Sequence, residues 1–232
     1  LRQLDHFDIL EYCLGFEKPN FPTLLENCHL VSIYVEREKD HPALWSELGF
    51  SILQRKKAQE HITKPGDHSE TLMQSASFGH LRVQENMRFL NLKEDSRDIH
   101  SHRNRFGQTR FSTEQEAKWI LKGVLTGQPI VLLTYYEDHD SHILPGLLEL
   151  PLDDFGCILA TISTQRIARE RNIDWYMEKR KDLEDVSRFL GFKCEDLDGP
   201  TNYAGFNMVA AIQMAMRSKI RSAEIPLQTK VN

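Results

Sequence analysis

No CxxC pair occurs in this chain: Cys13, Cys28, Cys157 and Cys194 are its only cysteines, and each stands alone. The missing pair excludes zinc-ribbon geometry, and four scattered thiols in 232 residues give no sign of a disulfide framework. Buried, reduced cysteines in an intracellular protein, nuclear or cytoplasmic, are the expectation. No apolar run approaches the roughly 18 residues of a membrane span, and no leader-like pattern opens the chain, so no membrane contact is expected. Leu1 stands where a methionine would, so the sequence is expected to be a segment of a longer polypeptide. Excess basic charge is lacking too. With 29 Lys and Arg against 34 Asp and Glu the net charge is −5, which excludes a broad phosphate-binding face. Any nucleic-acid contact must come from a local patch.

What is present suits one globular domain. A hydrophobic content of 40% and a length of 232 residues suffice to bury a sizeable core. The stretch His29 to Asp40, HLVSIYVEREKD, reads as an apolar strand running into Glu36, with Glu38 and Asp40 beyond. A strand that ends in acid is one way for a sheet to deliver a metal ligand to the lip of a cleft; it is also how a buried strand simply reaches solvent.

Around it the elements follow in order. Phe7, Leu10, Cys13 and Leu14 have helical spacing, and Gly15 is a stop. Residues 5–28 thus form an N-terminal helix and connector. Glu47–Gln54 and Ser77–Val83 read as strands, separated by a polar stretch with a turn at Lys64-Pro65-Gly66-Asp67. Thr113 and Glu116 form a capping box that starts a helix with Ala117, Ile120, Leu121 and Val124 on one face. Pro129–Tyr136 is apolar almost throughout, as a strand covered on both faces would be. It leads to a second acidic end, Glu137-Asp138-His139-Asp140, and then a short helix over Ser141–Leu150. Cys157–Ile162 is a fifth strand. Helices follow at Thr164–Arg171, at Lys181–Leu190 with Phe189 on its apolar face, and from about Ala204 to Arg221 after a turn at Gly199–Asn202. The tail, 222–232, is expected to fray. The order predicts a single α/β domain over 1–232 with a mixed five-stranded sheet flanked by helices.

Residues 91–112 form the most basic window and read as an excursion loop. Arg97, Arg103, Arg105 and Arg110, with Phe106 for stacking, are the candidate nucleic-acid contacts. His100 and His102 lack a third ligand at a diagnostic spacing and are taken as non-metal.

Taken together these stretches resemble a known family. HFDILEYCLGF, LVSIYVE, ELGFSIL, HLRVQENMRFL with RFGQTRFS, PIVLLTYYEDHDSHIL, ISTQRIAR, and DLEDVSRFLGF with NYAGFNMVAA occur in the order seen in ribonuclease-H-like 3′–5′ exonucleases of the DEDD superfamily. The chain is similar in particular to the fungal Gfd2-type branch. The resemblance implies a DnaQ-like exonuclease fold in which four carboxylates hold two divalent metals. Carried over by position, the first Asp is Tyr34, the Glu is Glu36, the second Asp is Asp140 and the last Asp is Asn207. The residue that orients the attacking water falls at Asn202. A phenol and an amide do not replace hard anionic oxygens around Mg²⁺ or Mn²⁺, so the site is expected to be degenerate and to need no cofactor.

Only Glu36 and Asp140 remain as metal candidates. Glu38, Asp40, Asp138 and Asp198, with His139 and His142, are the neighbours from which an atypical one-metal site would be rebuilt. Three functions stay open. The domain is a protein-interaction scaffold in an RNA- or chromatin-linked assembly, a non-cleaving module for RNA or single-stranded DNA, or an atypical metal-dependent exonuclease.

Overall fold

In the computed structural model six strands form one sheet: β1 (His29–Arg37), β2 (Trp45–Gln54), β3 (Ser77–Val83), β4 (Thr109–Ser112), β5 (Ile130–Thr134) and β6 (Ile158–Ser163). The residues described are 4–37, 44–86, 104–136, 156–171, 182–197 and 199–224, with side chains to 217. The spatial order is β4-β3-β2-β1-β5-β6. β1, β2 and β3 make an antiparallel meander, while β5 joins β1, β6 joins β5 and β4 joins β3 in parallel.

Among the described residues the sheet therefore has six strands, not five. The sixth, β4, lies at the end of the 91–112 window read as a loop. At four residues, three of them exposed, it has no alternation to detect, and only its pairing with β3 defines it.

Among the described residues the helices are α1 (His6–Cys13), α2 (Arg55–His61), α3 (Glu70–Gln74), α4 (Glu114–Leu125), α5 (Thr164–Glu170), α6 (Leu183–Leu190) and α7 (Pro200–Glu224). The short α2 and α3 occupy the polar stretch after β2, where seven and five residues are too few to show a period. α4 starts on the expected capping box, with Thr113 and Glu116 each bonding the other's backbone. α7 begins at Pro200 rather than near Ala204. Proline suits a first helical turn as well as it suits a loop, and here it opens the helix. Phe189 of α6, expected inward, is half exposed under the Arg217 guanidinium, 4.5 Å from its ring centre. The helix proposed at Ser141–Leu150 and the tail beyond 224 lie outside the described residues.

Strand alternation splits the core in two. Val31, Ile33 and Val35 of β1 face α4 together with Ile130, Leu132, Leu121 and Leu125. Leu30 faces the other way with Val131, Leu133, Tyr135, α1 and the Ala210–Met216 part of α7. β5 is buried at all five residues, as its unbroken apolar sequence requires. The entry of α7 is fixed by Gly49, where a Cβ would stand 2.1 Å from the Thr201 nitrogen and 2.2 Å from the Pro200 carbonyl carbon. Only a strand without a side chain at this position lets the first turn of α7 lie on β2.

His29, at the start of β1, carries a pH dependence. Burial, helped by the Lys57 charge, holds its pKa below the ordinary histidine value. A base depressed in the fold binds protons more readily when unfolded, so its contribution is present above the unfolded pKa and is lost as pH falls through that value toward the folded one. Urea unfolding midpoints should fall across the ordinary histidine range, and His29→Gln should flatten that slope. An unchanged slope in the variant would remove His29 from the account.

Candidate active site

The face of β1 that looks toward α7 carries Ser32, Tyr34 and Glu36. Their antiparallel partners Ser51, Gly49 and Glu47 share that face. α7 is fastened over this row by Ser51, whose hydroxyl donates to the Ala204 carbonyl at 3.0 Å. One turn apart on α7, Tyr203 and Asn207 point down into it.

Asn207 is 1% exposed. Its Nδ2 donates to Ser32 Oγ at 3.0 Å and to the Leu133 carbonyl at 3.3 Å, which ties α7 to β1 and β5. Its Oδ1 is buried without a hydrogen-bond partner. Tyr203 stacks on Tyr34, ring centres 4.3 Å apart at 31°, and meets Tyr135 edge-on at 6.3 Å. Tyr135 in turn meets Tyr136 edge-on at 4.9 Å. Aromatic rings thus occupy the space between the C-terminal ends of β1 and β5 and the start of α7. Glu36 is half-buried at the strand end, just before a register shift in the β1–β2 pairing.

Asn202, the position assigned to orienting a water, is buried and spans two neighbouring segments. Its Oδ1 accepts from the Arg105 backbone at 2.7 Å and its Nδ2 donates to the Asp196 carbonyl at 2.8 Å. Two residues in the described part of the basic window also have partners within the fold. Arg105 forms ion pairs with Glu195 and, at 2.9 Å, with Asp196. Phe106 lies on Phe78 at 4.9 Å and edge-on to Phe206 at 5.0 Å, over Gly205, where a Cβ would come within 2.5 Å of the ring. These contacts give exposed Arg105 and half-buried Phe106 partners within the fold. Arg110 is exposed on β4. Arg97, Arg103 and Asp140 lie outside the described residues.

The sequence reading passed over Glu47. It is fully buried opposite Glu36, and Arg82 Nε donates to its Oε1, while His80 Nε2 stands 3.6 Å from its Oε2. His80 Nδ1 meets Thr109 Oγ1 at 2.9 Å. Glu47, Arg82 and His80 alternate with apolar residues in strands read as ordinary, and only pairing of β2 with β3 brings the charges together. The one sequence signal was an acid at the head of an otherwise apolar strand.

The fold and the order of these strands and helices define a ribonuclease-H-like domain of the DEDD exonuclease superfamily. The sequence profile of the family described as DNA polymerase III subunit epsilon-like, C-terminal domain, matches residues 29–214, and the chain belongs to that family. A search of curated proteins found no match.

A pair of divalent cations, which the superfamily resemblance implies, does not fit the described side chains. At the three metal positions that are described Glu36 is the one carboxylate; Tyr34 is engaged with Tyr203, and the Asn207 amide gives its protons to the two strands. A neutral amide oxygen in this pocket cannot balance a divalent charge. Glu47, although close in register, is already matched by Arg82. Among the described residues no three His, Cys, Asp or Glu side chains converge as a metal site.

Proposed function

We propose that this is a catalytically degenerate 3′–5′ exonuclease-like domain that serves as a protein-interaction scaffold in an RNA- or chromatin-linked assembly. The observation that carries the reading is Asn207. At the place of the last metal carboxylate stands a buried amide whose protons hold the sheet and α7 together. The Tyr34–Tyr203 stack supports it, because the half-buried phenol at the other position is engaged by a neighbouring ring. A protein partner is supported by the outer end of the sheet. There Phe111 on β4 is 49% exposed and Trp119 on α4 is 75% exposed, large aromatics of the kind enriched at interfaces.

Calorimetric titration of Mg²⁺ and Mn²⁺ into the protein, with Glu36→Ala and Asp140→Ala beside it, tests the loss of metal chemistry. No binding tighter than millimolar is expected. Tight Mn²⁺ binding that either substitution abolishes would overturn the reading and favour the atypical nuclease. A non-cleaving nucleic-acid module is the second reading, supported by exposed Arg110. It requires single-stranded oligonucleotide binding that weakens steeply with salt.

A further inference from the structure

Cys13 and Cys28 are 15 positions apart in the chain, yet their sulfurs meet at 3.5 Å in the core. Cys13 closes α1 and Cys28 immediately precedes β1. We propose that Cys13 and Cys28 form a peroxide-sensitive thiol pair that closes to a reversible disulfide, tying the end of α1 to the foot of β1. From 3.5 Å the sulfurs need to approach by roughly 1.5 Å to reach bonding distance, a movement on the scale of side-chain adjustment.

The surroundings make the two thiols unequal. Arg55 is 7% exposed; its backbone nitrogen donates to the Cys28 carbonyl at 3.1 Å, and its guanidinium stacks on Tyr12 at 4.1 Å. Nη1 reaches Gln59 at 3.2 Å, but Nε has no hydrogen-bond partner, and no carboxylate pairs with this buried cation among the described residues. A thiolate next to it would supply the missing negative charge. The hydrogen bond from Cys13 and then the Arg55 charge hold Cys28 below the ordinary thiol range against its burial. The same hydrogen bond and burial raise Cys13 well above it. Cys28, whose carbonyl takes the Arg55 backbone N–H, is assigned as the attacking sulfur and Cys13 as the resolving one. Both thiols are fully buried, and a cavity of about 920 Å³ lined by Tyr12, Asn27 and Arg55 reaches their chain neighbours.

The chemistry balances with hydrogen peroxide as oxidant. The Cys28 thiolate attacks one peroxide oxygen, the O–O bond breaks, and the departing hydroxide takes a proton to become water, leaving a sulfenic acid. Cys13 gives up its proton, its sulfur attacks Cys28, and the S–O bond breaks as the S–S bond forms, releasing a second water. Two thiols lose two electrons and two protons, and the peroxide becomes two waters. A dithiol reductant reverses the step by exchange.

The test treats the folded chain with hydrogen peroxide, blocks remaining thiols in denaturant, and cleaves after glutamate without reduction. Cleavage at Glu11, Glu17, Glu26 and Glu36 leaves Cys13 on residues 12–17 and Cys28 on 27–36. These two peptides are expected to appear joined, lighter by two hydrogens, and to separate with dithiothreitol. Cys157 and Cys194 should remain blockable; burial pushes the Cys194 thiol up to about 11 despite its hydrogen bond to Ser187. Cys13→Ser should instead leave Cys28 as a sulfenic acid that dimedone traps. The proposal is overturned if the wild-type digest shows no joined pair, if Cys28 goes to sulfinic acid unlinked, or if all four cysteines oxidise together. The wild-type digest decides even where the variant fails to fold.

Discussion

Arg82→Ala is expected to lower the stability of the fold by about 3–5 kcal/mol near neutral pH, one of the largest losses available to a single substitution here. Glu47 is fully buried, and the charge that balances it comes from Arg82, one strand away, with His80 3.6 Å from its other oxygen. Removing the guanidinium takes away the cation bonded to Glu47 Oε1 and leaves that oxygen in the core without this donor. Burying a hydrogen-bonded pair gains little over apolar residues of the same size, so the loss measures the orphaned charge rather than the worth of the pair. Glu47→Gln with Arg82→Leu should therefore recover most of it. Urea unfolding followed by circular dichroism gives both numbers in one cycle. A loss under about 1 kcal/mol for Arg82→Ala would mean that Glu47 is solvated as a surface carboxylate is, and the buried network would not stand.

The sequence carried the sheet further than it carried the site. Strands β1, β2, β3, β5 and β6 were legible because each shows alternation or a continuous apolar run in its own sequence. β4 was not, because its four residues are defined by pairing with β3 rather than by their own pattern. The start of α7 was misplaced because Gly199-Pro200 satisfies a turn and a helix start equally, and what decides between them is the bare backbone at Gly49, 151 positions from Pro200. The site divides in the same way. That Asn207 falls where the family resemblance puts an acid was read from motif order, but that its amide bonds Ser32 and Leu133 needed three elements in place. Arg105 and Phe106 looked like a basic, aromatic arm because their partners Glu195, Asp196, Phe78 and Phe206 are far away in the chain. Charge and aromaticity in a window say nothing about whether the rest of the fold has already used them.

Asn207→Asp is expected to destabilise the domain by about 4 kcal/mol near neutral pH, the equivalent of roughly three pKa units for a carboxylate buried without a countercharge. The substitution replaces a donor that serves Ser32 Oγ and the Leu133 carbonyl with an acceptor, and it faces that carbonyl with negative charge. The introduced group would have its pKa raised in the fold. Its destabilising effect is then fully present above the folded pKa and fades as pH falls through it toward the unfolded value. Thermal or urea unfolding of the variant and wild type across the acidic range reads this as two curves that converge on acidification. Millimolar Mn²⁺ supplies the decisive arm. With the Tyr34 ring still stacked on Tyr203, one carboxylate introduced at position 207 does not make a cation site, and the metal should return none of the lost stability. Recovery with Mn²⁺, itself abolished by Glu36→Ala, would show that a single amide is all that separates this pocket from a working metal centre, and the scaffold reading would give way to that of a nuclease one substitution from activity.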